Sequence, residues 1–149
     1  ATALMALAFV LSATGCVQNL AAPARTGDGY RAAVGKTADA AASAVGTTKL
    51  LAEAATDGDA FFPYLSVAAS ESEDELNATV QTFGSIQPPD APSLELRSRT
   101  LDALRGAQDH VAAVRITIRS GTTDGLDQLR DDLDQDAQAL DHLSAEVSG

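Results

Sequence analysis

Apolar and small residues recur at alternating three- and four-residue spacing in four stretches of the chain, the period of an amphipathic helix. The first stretch runs from about Asp28 to Ala55, with Tyr30, Val34, Thr37, Ala41, Ala44, Thr48, Leu51 and Ala55 on its inner line. The second runs from about Asp59 to Ile86 and carries Phe62, Leu65, Ala69, Ser72, Leu76, Thr79, Phe83 and Ile86. The third uses Leu94, Leu101, Leu104, Val111, Val114 and Ile118. The fourth has the cleanest repeat, Leu126, Leu129, Leu133, Leu140, Leu143 and Val147, with Ala137 filling its gap.

Turn residues separate these stretches. Asp57-Gly58-Asp59 predicts a turn, with Asp59 as the N-cap of the second helix, and Pro63 falls in the first turn, where a missing N–H costs little. Ser72-x-x-Glu75 has the form of a capping box, yet the apolar line passes through it in phase, so one continuous helix is expected. Pro88-Pro89-Asp90-Ala91-Pro92 stops the second helix and starts the third. Gly121 is expected as a C-cap and Thr122-Thr123-Asp124 as the next N-cap. Helices of roughly 25–28 residues are about 40 Å long. Joined by short loops, they predict an all-α, antiparallel up-down-up-down four-helix bundle over residues 30–149.

The chain ahead of the bundle has a different character. Ala3 to Val10 is apolar, Leu11 continues it, and Ser12, Ala13, Thr14 and Gly15 shrink toward Cys16, the only cysteine. A short apolar run ending in small side chains fits a secretory leader and falls short of the roughly 20 residues a spanning helix needs. Leu11-Ser12-Ala13-Thr14-Gly15-Cys16 has the form of a lipobox. Residues 1–15 are therefore expected to be a lipoprotein signal peptide, with a membrane lipid attached at Cys16. Residues 16–29, which include Asn19, Pro23, Thr26, Gly27, Asp28 and Gly29, read as a flexible tether.

Charge narrows the set of partners. The chain holds 10 Lys and Arg against 21 Asp and Glu, a formal net charge of -11. Nucleic acid is bound through basic clusters, so it is not an expected partner, and docking on anionic head groups is disfavoured. A single cysteine makes no intramolecular disulfide; the fold must rest on packing. Charge also sorts by helix. Arg97, Arg99, Arg105, Arg115 and Arg119 lie on the third and Asp124, Asp127, Asp131, Asp132, Asp134, Asp136, Asp141 and Glu146 on the fourth, which suggests that these two helices attract along their flanks.

The candidate chemistry is sparse. Asp132-Leu133-Asp134-Gln135-Asp136 looks like the start of a calcium loop, but Ala137 and Leu143 stand where such a loop needs Gly and Glu. Neither His110 nor His142 has the Glu three residues earlier that a di-iron bundle uses. No phosphate-binding Gly-rich loop or nucleophile elbow occurs. Glu71, Glu73, Asp74 and Glu75 read as a solvated face. Phe61 and Tyr64 flank Pro63 and point away from the line occupied by Phe62; they are expected either to pack against the tether or the loop between the third and fourth helices, or to form an exposed patch near a bundle end.

The body resembles a family of small lipoproteins of high-GC actinobacteria whose function is not established. The resemblance rests on Thr48-Lys49-Leu50-Leu51, Phe62-Pro63-Tyr64, Ser85-Ile86-Gln87-Pro88-Pro89, Ala112-Ala113-Val114-Arg115 and the acidic last helix. It implies an envelope location and a helical bundle, and it brings no catalytic residues. The expectation is a non-enzymatic, membrane-anchored extracytoplasmic protein without cofactor or metal. Its expected partner is another envelope protein, met through Asp127, Asp131, Asp134, Phe61 and Tyr64. The alternative is a carrier of a small apolar ligand or cation, motivated by the small residues lining the first helix.

Overall fold

The structure is a computed structural model that describes residues 26–149. The expected leader, Cys16 and residues 16–25 of the expected tether lie outside the described residues. Among the described residues all regular structure is helical: α1 (Gly27–Asp57), α2 (Phe62–Ser85), α3 (Ala91–Arg119) and α4 (Leu126–Ser148). α1 packs against α2, α3 and α4; α3 also packs against α2 and α4, and α2 and α4 do not approach each other.

Local chemistry sets each boundary. α1 begins earlier than the tether reading allowed, because Thr26 is an N-cap whose hydroxyl accepts from the Gly29 N–H at 3.1 Å. Residues 27–29 are therefore helical. α1 ends at Gly58, whose N–H bonds the Ala54 carbonyl and whose φ of 74° turns the Asp59 N–H back to the same carbonyl at 3.0 Å. Asp59 does not cap α2. The cap position is Phe61, extended and without a side-chain hydrogen bond, and Pro63 supplies the fixed φ of the first turn instead. Asp90 caps α3, accepting from the Ser93 N–H at 2.9 Å. Beyond α3, Gly121 takes the left-handed conformation (φ 75°) just after the cap residue Ser120. The residue that caps α4 is Gly125 rather than Thr122, Thr123 or Asp124, because the chain needs a φ of 80° there to turn into the helix.

The core follows the expected lines with two shifts. On α1, Leu51 is half-buried and Ala52 takes the interior place, joined by Ala38 and Val45. On α3, Leu94 is exposed and Leu96 is buried, with Thr100 one turn on, also buried. Thr100 is masked as an inner position by its hydroxyl, which bonds the Leu96 carbonyl at 2.8 Å and so enters the core satisfied. Leu65, Leu76, Phe83, Leu104, Ile118, Leu126, Leu133 and Leu140 are fully buried. Burial of such side chains at about 1.5–3 kcal/mol each supplies the main drive to fold. α2 passes unbroken through Ser72, whose hydroxyl is buried and bonded to α1. Tyr30 packs on Phe83 with ring centroids 5.9 Å apart.

Candidate functional site

The first turn of α2 is built so that one aromatic goes in and two stay out. Phe62 packs against the core and Leu65 is fully buried, which fixes the rotation of the helix. That rotation leaves Phe61 86% exposed and Tyr64 68% exposed, with Val67 exposed one turn further. Both candidate aromatics are therefore on the surface, beside Asp57 and Asp59, which are exposed as well.

Below Tyr64 the outer edge of α2 turns acidic. Glu71, Asp74 and Glu75 are exposed and, among the described residues, make no ion pair. Glu73 faces the other way and is paired with Arg115 of α3. α2 contains no Lys, Arg or His at all. Sequence reading found Phe61 and Tyr64 but missed Val67 and the continuity of the patch with the acidic edge. The missing signal was the absence of any cation over residues 62–85.

The three candidate aspartates of α4 are placed differently from one another. Asp134 receives the Lys49 ammonium of α1 at 2.6 Å. Asp127 accepts from Arg130 at 3.2 Å, and Arg130 also reaches Glu53 of α1 at 3.2 Å. Asp131 is exposed. Two of the three are thus engaged within the molecule, and none is near the first turn of α2 by helix contact, because α2 and α4 do not touch. The aromatic pair and the α4 aspartates stand on segments whose helices make no contact with each other.

The expected attraction between α3 and α4 is narrower than their composition suggests. Arg99 holds Glu146 in a two-pronged pair, both contacts at 2.8 Å, and His110 Nδ1 lies 2.6 Å from Asp136 Oδ2. Three of the other four α3 arginines go elsewhere: Arg105 to Asp102 on its own helix, Arg115 to Glu73, and Arg97 to backbone carbonyls of Gly84 and Ile86. The Arg99 guanidinium holds the Glu146 carboxyl below the usual range. Asp90 is lowered too, by hydrogen bonds from the Ser93 side chain and N–H. Burial pushes the Tyr30 hydroxyl up, with the nearby Arg97 charge acting against it. The Tyr30 oxygen is buried without a hydrogen-bond partner of good geometry.

The small residues of α1 are used for close approach. A Cβ on Gly35 would lie 3.2 Å from Val147 of α4, so the helices meet there nearly backbone to side chain. Above this contact is an open groove of about 450 Å³, with Asp28, Arg31, Lys36 and Asp39 on its α1 wall. Among the described residues there is no group of three or more His, Cys, Asp or Glu that could hold a metal ion, and no helix is long and apolar enough to cross a membrane. Comparison with protein-family models, curated proteins and solved structures finds no match.

Proposed function

We propose that the chain is a lipid-anchored envelope protein whose helical body is a docking module for another protein. The anchor is Cys16, at the end of the Leu11–Gly15 run. The observation that carries the docking role is the exposure of Phe61 and Tyr64 on a helix whose neighbouring aromatic, Phe62, is packed inward. Exposed aromatics grouped on one edge are common at interaction surfaces. In this reading the body is an antiparallel up-down-up-down bundle. The order of the cross-helix contacts supports it: on α1 and α4 Arg31 meets Glu146, Asp39 meets Ser144, Lys49 meets Asp134 and Glu53 meets Arg130. On α2 and α3 Glu73 meets Arg115, Asn77 meets Gln108 and Gly84 meets Arg97. Catalysis has no part in the proposal, and nor does an actinobacterial origin beyond the resemblance already described.

The carrier reading draws only on the α1–α4 groove. Its wall of Asp28, Arg31, Lys36 and Asp39 suits neither an apolar ligand nor a lone cation.

Two measurements test the proposal. Intact mass of the membrane fraction should show a diacylglyceryl-modified Cys16 with residues 1–15 removed, and Cys16→Ala should release an unlipidated form. A natural product that keeps residues 1–15 with a free thiol sinks the anchor. Photocrosslinkers placed at Tyr64 and Asp131 in the lipidated protein should yield a discrete adduct from at least one position. Silence at both sinks the docking role.

A further inference from the structure

The geometry points to a polypeptide partner of one chemistry: a cationic amphipathic segment, with an apolar anchor at one end and a Lys or Arg cluster at the other, lying along the outer edge of α2. This inference rests on the docking role proposed above and specifies its partner.

Three observations on α2 converge. Its first two turns present Phe61, Tyr64 and Val67, all exposed. The next turns present Glu71, Asp74 and Glu75, exposed and without ion pairs among the described residues. α2 carries no cation to neutralise them and has no contact with α4, so one side of it stays open. The aromatic pair and the acidic part are seven to fourteen residues apart, from Tyr64 to Glu71 and from Phe61 to Glu75. That is roughly 10–20 Å along a helix. A segment offering apolar side chains and, roughly 10–20 Å on, clustered ammonium or guanidinium groups would match both parts in one register. The acidic part steers and orients, and the aromatic part holds the complex.

The same chemistry argues against the other occupants. An anionic bilayer would bury Tyr64 only by bringing Glu71 and Glu75 against like charge. The same edge of a second copy brings no cation to meet the acidic part, and each copy carries a net charge of -11. Position along the bundle agrees. Gly27 abuts Asp90, so α1 starts beside the α2–α3 loop, whereas Phe61 follows the far end of α1. The 31 residues of α1 put about 45 Å between the two ends. The aromatic edge thus lies at the opposite end of α1 from Thr26, where the chain from Cys16 enters the bundle.

The test uses the described body with its tether and a synthetic helical peptide as probe. The peptide carries phenylalanines in its first turn and a lysine cluster about 15 Å further on; a control has glutamates in place of the lysines. Fluorescence anisotropy should show saturable binding of the lysine peptide and none of the glutamate control. Phe61→Ser with Tyr64→Ser should weaken it by about tenfold or more. Glu71→Gln, Asp74→Asn and Glu75→Gln together should remove most of its dependence on salt between about 0.02 and 0.5 M. These positions are exposed, so circular dichroism should show an unchanged fold, and Leu94→Ser, an exposed apolar site on α3, should leave binding unchanged. Equal binding by the wild type and the aromatic variant, or by both peptides, overturns the inference. The photocrosslinking above separates the two levels. An adduct at Tyr64 that Glu71→Lys with Glu75→Lys abolishes supports this partner class. An adduct at Asp131 alone overturns it and leaves the docking role standing; none at either position removes both.

Discussion

The hydroxyls of Thr48 and Ser72 meet 2.9 Å apart inside the core, one from α1 and one from α2. Both also reach the Ala44 carbonyl, at 2.9 and 3.0 Å. The two hydroxyl protons are shared among these three contacts, each hydroxyl donating either to the Ala44 carbonyl or to the other oxygen, so the helices are joined by a small polar link in otherwise apolar surroundings. The link fixes how far α2 can slide along α1. Ser72→Ala should cost about 1 kcal/mol in urea unfolding, and Thr48→Val about the same. The double variant should lose less than the sum, because the contact between the two hydroxyls is broken by either single change and so counts twice in the sum. Additive losses would show that the two side chains act independently.

Arg97 closes the end of α2 from the neighbouring helix. Its guanidinium donates to the Ile86 carbonyl at 2.6 Å and to the Gly84 carbonyl at 2.8 Å, groups left without intrahelical partners at the C-terminus. Charge-assisted hydrogen bonds of this kind are the stronger class. Arg97→Ala should therefore destabilise by about 2–3 kcal/mol. Arg97→Lys should recover only part, because an ammonium does not present two parallel donors. Amide exchange should speed up first over Phe83–Gln87. Tyr30→Phe is the contrasting change: it removes a buried hydroxyl that lacks a partner and should be neutral or stabilising by up to about 1 kcal/mol.

The sequence showed most of this frame and little of its wiring. The four helices were visible because their apolar lines are long and in phase, and the glycines at 58 and 121 marked turns that require positive φ. Helix starts were harder. Asp59 and Thr122-Thr123-Asp124 have the right side chains for caps, but the chain geometry puts the cap at Phe61 and Gly125, two and one residues later. Leu94 was read as core and Leu96 was missed, since both leucines fit a helical period and only the packing partner decides between them. That Phe61 and Tyr64 leave the inner line could be read from their phase against Phe62 and Leu65; that they are exposed rather than packed under the tether or a loop could not. That Asp134 is tied up by Lys49 could not, because that pairing depends on how two helices lie side by side; Asp127 and Arg130, three apart on α4, pair within one helix.

Glycine positions give a paired prediction of opposite sign. Gly46 is in the middle of α1 with a helical backbone, and a Cβ there meets nothing within 4 Å. Gly46→Ala should stabilise by about 1 kcal/mol through helix propensity and a less flexible unfolded chain. Gly58 has equally open space but a φ of 74°. Gly58→Ala should destabilise by about 1 kcal/mol, because a side chain disfavours that left-handed backbone. Thermal melts of the two variants should shift in opposite directions, and a shift in the same direction would show that space, not backbone, governs the turn.

Acid should weaken the fold through particular carboxylates. Glu146 and Asp90 are both held below their ordinary values, the first by Arg99 and the second by Ser93. At neutral pH they are ionised in both states and the stabilisation is fully present. As pH falls through about 4, where free carboxyls protonate, the unfolded chain takes up protons first and stability declines until the folded groups protonate as well. Loss of negative charge acts the other way, because it relieves repulsion in a chain of net charge -11. The absolute curve therefore mixes two effects, and the comparison that isolates one is wild type against Glu146→Gln. Between about pH 5 and pH 2 the variant should lose less stability than the wild type, while starting lower at pH 7. At the alkaline end the order of deprotonation reverses the slope. Tyr30 is raised by burial, so above about pH 10 the unfolded chain loses its phenolic proton first and stability falls as pH rises. Tyr30→Phe should flatten that limb and leave the acid limb untouched. Superimposable acid limbs for wild type and Glu146→Gln would mean that the Arg99 contact contributes nothing to folding.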